Sequence, residues 1–173
     1  GEFRKTHFHT GIDIKTQGKE GLIVRAIDDG DLVRVKVSKS GYGKVVYIRH
    51  YDGITSVYAH LKKFSPKIQQ IIKSLQYKKE RFEVEKFFKK GEVKLKKSEI
   101  IGFSGNTGGS SGPHLHFELR DTEQEKPLNP LKYGYFVSDT IPPMIQNIYL
   151  YKFLRENLSK KIKIELIKNK NLY

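Results

Sequence analysis

The sequence predicts a mainly β protein: an antiparallel β-sheet or sandwich with one inserted helix, followed by the start of a second β module. Two observations support this prediction. Short runs of alternating polar and apolar residues recur at regular spacing between glycine turns, which is typical of antiparallel sheets. One stretch interrupts them with helical periodicity, having isoleucine or leucine at positions 68, 71, 72 and 75.

The strands follow in chain order from this alternation. Residues 3–14 have the pattern of a strand, a turn at Gly11 and a second strand. Because side chains alternate along a strand, His114 and His116 should leave the same face of theirs. Further strands are predicted at residues 22–26, 32–37, 45–50, 54–61, 99–104 and 112–118.

The predicted helix lies in an insertion that spans residues 62 to about 90. Ser65 is a good N-cap residue, Pro66 suits the first helical turn, and the helix should run to about Lys79. Residues 81–96 alternate weakly and are expected to form a lid or hairpin. The insertion either covers the sheet or forms a wall of a substrate cleft.

The length of 173 residues is enough for one full domain and part of another. We expect a first domain over residues 1–138, and a linker with a partial β module over residues 139–173. The linker would be Asp139–Pro143, and residues 145–153 and 162–167 alternate as strands. No signal peptide is visible, the sequence lacks an initiating Met and it ends in a strand-like run, so we expect a piece cut from a longer protein.

The formal net charge is +14, and lysines are spread through the whole chain. Such a spread is typical of a solvated surface, although it also favours polyanions such as nucleic acid or an anionic cell-wall polymer. The lysines form no single stripe and no nucleic-acid motif accompanies them, so we do not expect nucleic-acid binding. No stretch approaches the roughly 20 apolar residues of a membrane span.

Metal chemistry is restricted by the absence of cysteine, which excludes disulfides and thiolate zinc sites. Any metal must therefore be held by histidine and carboxylate. The glycine-rich loop of residues 105–112 lacks the Gly-Lys-Ser/Thr ending of a phosphate-binding loop and leads into a strand, which excludes nucleotide binding. The loop either lets backbone approach a ligand closely or simply turns the chain.

Two pairs of residues could meet at one ion. His9 and Asp13 lie four apart with Gly11 between them, and His114 and His116 lie two apart on a strand. Two histidines and one aspartate would make three protein ligands and leave the fourth position of a tetrahedral zinc site for water, as in catalytic sites. The remaining histidine of the pair, together with His60, could then move protons.

Four motifs resemble those of the lysostaphin/LytM-type zinc metalloendopeptidases, which have the duplicated hybrid motif fold. They occur in the family's order and lie within residues 3–131. The motifs are His9-Thr10-Gly11-Ile12-Asp13, Tyr58-Ala59-His60-Leu61, Gly105-Asn106-Thr107-Gly108 and Gly112-Pro113-His114-Leu115-His116-Phe117-Glu118. The helical insertion and the Asp-Thr-Ile-Pro-Pro linker resemble the version found in some Gram-negative envelope proteins.

The resemblance implies a zinc site in a groove of the sheet and hydrolysis of peptide bonds in peptidoglycan. By matching position, His9, Asp13 and His116 would be the zinc ligands. His60 and His114 would handle the attacking water and the oxyanion, in roles that the sequence leaves open. The pattern gives no chemical role to His7, expected at the cleft edge, or to His50, expected to pack or to form a hydrogen bond.

The resemblance also implies an exported protein of the periplasm or cell envelope, with peptidoglycan as its partner. An alternative from a different class is a non-catalytic peptidoglycan-binding or amidase-activating module of the same fold. Such relatives typically lack one or more ligands, whereas all five key positions are filled here.

Overall fold

A computed structural model of the chain describes residues 8–135, 148–154 and 157–164. The chain divides into two units, Gly1–Phe136 and Val137–Tyr173. His7 lies outside the described residues, so its predicted place at the cleft edge stays a prediction.

The described part of the first unit is built mainly from short strands. Its helices are the α-helix α1 (Pro66–Lys79) and a 3-10 helix (Pro130–Tyr133). The strands are β1 (Ile12–Lys15), β2 (Ile23–Arg25), β3 (Gly30–Val37), β4 (Lys44–His50), β5 (Ile54–Ala59), β6 (Lys63–Phe64), β7 (Val84–Phe87), β8 (Lys94–Leu95), β9 (Ile100–Phe103), β10 (His114–Asp121) and β11 (Pro127–Leu128).

Two sheets contain all of these strands. The main sheet has the order β1-β10-β5-β4-β3-β7, with β11 also paired to β10 and β8 to β3. A smaller sheet has the order β2-β9-β6. The pairings are antiparallel, which confirms the predicted mainly β fold with antiparallel sheets.

The two faces of the main sheet have different surroundings. Phe117 of β10 pairs with Tyr58 of β5, and both belong to the larger hydrophobic core, which also includes residues of the smaller sheet and α1. The next residues along each strand point to the opposite face. There Ala59 lies opposite His116, in a smaller buried cluster with Val45, Val57 and Tyr47. The site described below is therefore on the face turned away from the main core.

The helix α1 has the bounds that the sequence predicts. Its residues Ile68 and Ile72 are completely buried in the main core. The backbone N–H of Glu80, in the left-handed conformation, closes the last turn by bonding to the carbonyls of Gln76 and Tyr77. Of the two roles predicted for the insertion, the buried isoleucines support covering the sheet. The expected lid or hairpin contributes β7 to the edge of the main sheet, where it pairs with β3.

Two predicted strands in the first unit need correction. The strand predicted at residues 54–61 ends at Ala59, because His60 has a φ of 56° and its N–H bonds to the carbonyl of Tyr42. In the segment predicted as strand, turn and strand over residues 3–14, His9 and Thr10 are irregular and the strand β1 begins at Ile12.

The described residues of the second unit form a two-stranded antiparallel sheet of β12 (Ile148–Leu154) and β13 (Asn157–Ile164). The strand predicted at 162–167 begins earlier, because the lysine-rich residues before it also pair with β12. Within the described residues, no helix has the length and apolar character needed to cross a membrane.

Candidate metal centre

The three predicted metal ligands meet at one point on the main sheet. Asp13 on β1 pairs with His116 on β10, and its Oδ1 lies 2.9 Å from Nδ1 of His116. His9, from the irregular segment before β1, places its Nε2 3.0 Å from Oδ1 of Asp13 and 2.9 Å from Nδ1 of His116. These three atoms form a compact group of potential metal donors.

The hydrogen bonds of His116 show which of its two ring nitrogens carries the proton in the neutral ring. Its Nε2 lies 2.7 Å from Oε1 of the fully buried Glu118. Burial alone would raise the pKa of Glu118, but hydrogen bonds from His116, Arg120, Thr10 and Tyr42 outweigh it and lower the pKa to about 2. An ionised carboxylate only accepts, so Nε2 of His116 carries the proton. In the neutral ring Nδ1 is then bare toward Asp13, whereas in the protonated ring Nδ1 donates to Asp13.

This arrangement fits a cation. Burial raises the pKa of Asp13, but the hydrogen bond with His116 and three nearby histidines hold it well below its ordinary value. A carboxylate oxygen and a bare ring nitrogen at 2.9 Å are both acceptors, and they require positive charge between them. A proton would serve: despite burial, the bonds to Asp13 and Glu118 raise the pKa of His116. Two imidazoles and a carboxylate equally match the donor set of zinc.

His60 and His114 present proton acceptors beside this group. Nδ1 of His60 donates to the carbonyl of Thr107 at 2.8 Å, and Nδ1 of His114 donates to the carbonyl of Gly112 at 2.8 Å. In each neutral ring the remaining Nε2 is therefore bare. The two ring centroids lie 4.7 Å apart, and Nε2 of His114 is 3.5 Å from Oδ1 of Asp13.

The environment of His60 favours its neutral form. Burial lowers the pKa of His60, and the nearby His114 and His116 lower it further, against the opposing effect of the bond to Thr107. A neutral imidazole can accept a proton, which is what a general base requires.

The left-handed backbone of His60 explains how its ring reaches the site. Ala59 shares the face of His116, so in a regular strand His60 would point to the opposite face. The φ of 56° at His60 breaks that alternation, and the centroid of its ring lies 5.9 Å from the centroid of the His116 ring. Histidine is among the residues that adopt this conformation more often.

The glycine-rich loop supports His60 from the other side. The hydroxyl of Thr107 donates to the carbonyl of Leu61 at 2.9 Å and accepts from the backbone N–H of Lys44 at 3.0 Å. At Gly108, φ is +76° and the backbone of Gly43 comes too close for a Cβ atom. Of its two predicted roles, the loop thus turns the chain so that its carbonyls can reach the histidines.

Gly11 allows the first ligand segment to lie against β10. A Cβ atom there would overlap the carbonyl oxygen of Phe117 and lie 2.8 Å from Cγ of Glu118. The chain between His9 and Asp13 can therefore approach the strand that carries His116 only because residue 11 has no side chain.

Sequence reasoning missed the residues that surround His116 on its other side. Glu118, Arg120, Tyr42 and Thr10 form a hydrogen-bonded network that includes Nε2 of His116. The signal for two of them was present, because Glu118 and Arg120 continue the alternation of His114 and His116 along β10. His50, by contrast, is buried and forms hydrogen bonds with Ser56 and the carbonyl of Asp29, which is the second of its two predicted roles.

Two imidazoles and a carboxylate on an antiparallel sheet form a donor set of the kind that zinc metallopeptidases use. The family model for peptidase family M23 matches residues 7–77 and 81–130. The chain belongs to this family of metallopeptidases, and the resemblance seen in the sequence motifs is confirmed.

Known proteins agree with this assignment. The chain is 38% identical over 123 residues to the DD-carboxypeptidase/endopeptidase Mpg of Neisseria meningitidis serogroup B, covering 71% of this chain and 22% of that protein. It is 32% identical over 123 residues to the murein hydrolase activator NlpD of Salmonella dublin, covering 71% and 25%. The catalytic domain of the antimicrobial peptidase lysostaphin from Staphylococcus simulans superposes with a TM-score of 0.53 at 26% identity, covering 75% and 80%. The chain thus spans about a fifth of the length of the first of these relatives.

Proposed function

We propose that this chain is a zinc-dependent endopeptidase that hydrolyses peptide bonds in peptidoglycan. One observation carries the proposal: Nε2 of His9, Oδ1 of Asp13 and Nδ1 of His116 converge within 3.0 Å of one another. Two further imidazoles, His60 and His114, present bare Nε2 atoms at the edge of this group.

His9, Asp13 and His116 would hold the zinc ion. When bound by three protein ligands, zinc lowers the pKa of a water molecule to about 7 and polarises a carbonyl group. Asp13 supplies the negative charge of the ligand set, and its low pKa keeps that charge at neutral pH.

His60 and His114 move the protons of the reaction. Each ring is anchored by an Nδ1–H bond to a backbone carbonyl, so each presents Nε2 in a fixed direction. One of them accepts a proton from the attacking water at Nε2. The pair, now carrying that one proton, stabilises the tetrahedral oxyanion and returns the proton to the leaving amine. Either histidine has the geometry for either step.

The proposed substrate class rests on the relatives. Mpg is named a DD-carboxypeptidase/endopeptidase, and NlpD is named a murein hydrolase activator. We extend peptidoglycan as substrate, and the periplasm or cell envelope as location, to this chain on that basis. The net charge of +14 would also favour an anionic cell wall.

The competing function is that of a non-catalytic activator, which the similarity to NlpD supports. The two functions differ in what they need from the site. An activator needs neither metal ligands nor proton-transferring histidines. The convergence of His9, Asp13 and His116 beside the anchored rings of His60 and His114 therefore supports the enzyme.

A digestion experiment tests the proposed function. Purified protein is incubated with isolated peptidoglycan, and the released fragments are identified by mass spectrometry. We expect new peptide termini, loss of the activity with a chelator, and recovery with added zinc. Peptidoglycan left intact by the zinc-loaded wild-type protein, with stimulation of an added amidase instead, would support the activator and overturn the proposal.

A further inference from the structure

We propose that Glu118 is a positioning residue for the metal centre, which fixes the proton of His116 on Nε2 and anchors the segment that carries His9. This inference rests on the proposed zinc site. It concerns how the ligands are held, because Glu118 is fully buried and would act only through His116 and Thr10.

The contacts of Glu118 saturate its carboxylate. The side chain is fully buried. Oε1 accepts from Nε2 of His116 at 2.7 Å, from Oγ1 of Thr10 at 2.5 Å and from the hydroxyl of Tyr42 at 2.5 Å. Oε2 accepts from Nε of Arg120 at 2.7 Å, and Nη2 of the same guanidinium forms an ion pair with Oε2 at 2.7 Å. Each partner has a proton to give, and the ionised carboxylate has none.

This saturation determines the tautomer of His116. The hydroxyl of Tyr42 accepts from Nη2 of Arg120 at 3.1 Å, so its own proton is directed to Glu118. His116 must also donate to Oε1, which leaves Nδ1 bare toward Asp13. The ring of Tyr42 stacks on that of His116 at 5.4 Å between centroids and fixes its plane.

The same carboxylate connects two ligand segments. Thr10 follows His9 directly in the chain, and its bond to Glu118 holds this irregular segment against β10. Carboxylates that accept from the second nitrogen of a ligating histidine commonly orient the ring and raise metal affinity. Buried ion pairs contribute little net stability compared with apolar side chains, so stability alone gives a weak reason for a carboxylate here.

The substitution Glu118→Gln tests this directly because it keeps the shape and changes the donor pattern. If the amide NH₂ group of residue 118 faces Arg120, two hydrogen-bond donors oppose each other. If it faces His116, Nε2 must accept, and the proton moves to Nδ1 and blocks the ligand position. We expect zinc affinity to fall about 10- to 100-fold, measured by competition with a chromophoric chelator.

A second substitution separates positioning from a merely structural role. In the variant Glu118→Gln/Arg120→Gln, the amide oxygen of residue 120 occupies the position of the former Arg120 Nε. That oxygen can accept from the NH₂ group of residue 118, so residue 118 can again accept from Nε2 of His116. We expect the double variant to bind zinc more tightly than the single variant. If Glu118 had only a structural role, the two substitutions would lower zinc affinity additively. A double variant that binds zinc more weakly than Glu118→Gln would therefore overturn the proposal.

Glu85→Gln is the matched control. Glu85 also pairs with an arginine on the main sheet, accepting from Nε of Arg34 at 2.5 Å. It contacts no proposed ligand in the hydrogen bonds and ion pairs of the described residues. We expect this variant to bind zinc within about twofold of wild type.

Two further variants cover the case in which the Glu118→Gln protein does not fold. Thr10→Val and Tyr42→Phe each remove one donor to Glu118, and each should lower zinc affinity at least about threefold. Wild-type affinity in both would overturn the proposal. If the wild-type protein itself binds no zinc, the proposed function fails; if it binds zinc and Glu118→Gln binds equally well, only the role of Glu118 fails.

Discussion

Asp13 and His116 lie directly opposite each other on neighbouring strands, with Oδ1 and Nδ1 2.9 Å apart, although 103 residues separate them in sequence. The antiparallel register of β1 and β10 creates this proximity, so two of the three proposed ligands are positioned by the rigid main sheet. His9 completes the group from an irregular segment that Thr10 and Gly11 hold close to β10.

The two histidines of β10 should respond differently to replacement by alanine. His116→Ala removes a proposed ligand and should abolish zinc retention, whereas His114→Ala leaves all three ligands and should abolish cleavage alone. Zinc content measured by mass spectrometry and digestion of peptidoglycan check the two effects. Cleavage at the wild-type rate by the His114→Ala protein would show that its assigned role is wrong.

Gly11→Ala should weaken the metal site without changing any ligand. The added methyl group would overlap the carbonyl of Phe117, so the segment bearing His9 must move away from β10. We expect zinc affinity to fall by about 10-fold or more, which corresponds to about 1.4 kcal/mol of binding free energy. Gly109→Ala is the control, because its Cβ would make only ordinary contacts of 3.5 Å or longer and zinc affinity should be retained.

Glu118 should make the metal-free protein sensitive to acid. Its pKa falls from the ordinary 4.5 to about 2 in the folded protein. A lowered pKa contributes stability above pH 4.5, which is lost as the pH falls toward 2. The full effect is on the order of 3 kcal/mol.

Chemical unfolding between pH 2 and pH 5 measures this contribution. The free energy of unfolding of wild type should drop more steeply with acid than that of Glu118→Gln, so that the difference between the two proteins shrinks. Parallel pH curves for the two proteins would contradict the assigned ionisation of Glu118.

Ile72→Ala tests the role of the inserted helix. Ile72 is completely buried in the main core, and its truncation should lower the free energy of unfolding by about 2–5 kcal/mol. Because the helix covers the face of the sheet turned away from the ligands, zinc affinity of the folded variant should match wild type. A large loss of affinity at unchanged stability would instead assign the helix to the site.

Local signals explain why much of the fold could be predicted. Pro66 and the isoleucine spacing predict α1, whose N-cap residue Ser65 makes no side-chain cap hydrogen bond, and alternation with glycine turns predicts most strands. The backbone of His60 could not be predicted in this way. Its left-handed conformation depends on bonds to Tyr42 and Thr107, which lie far away in sequence.

Part of the site could likewise be predicted from local sequence, and part depends on packing between segments that are distant in sequence. The proposed ligands and bases stand in short motifs that can be read in sequence, and the structure places His9, Asp13, His60, His114 and His116 together. The network around Glu118 joins Thr10, Tyr42 and Arg120 from three segments, and only the packing of these segments shows that its carboxylate is buried and saturated. The alternation along β10 could have indicated the face of Glu118, but not its partners.

The most direct test of the proposed metal centre is a diffraction experiment at the zinc absorption edge on crystals of the zinc-loaded protein. The proposed zinc site predicts one anomalous peak enclosed by Nε2 of His9, Oδ1 of Asp13 and Nδ1 of His116, with a coordination position left open to solvent. A peak away from these three atoms, or one surrounded by four protein donors, would contradict it.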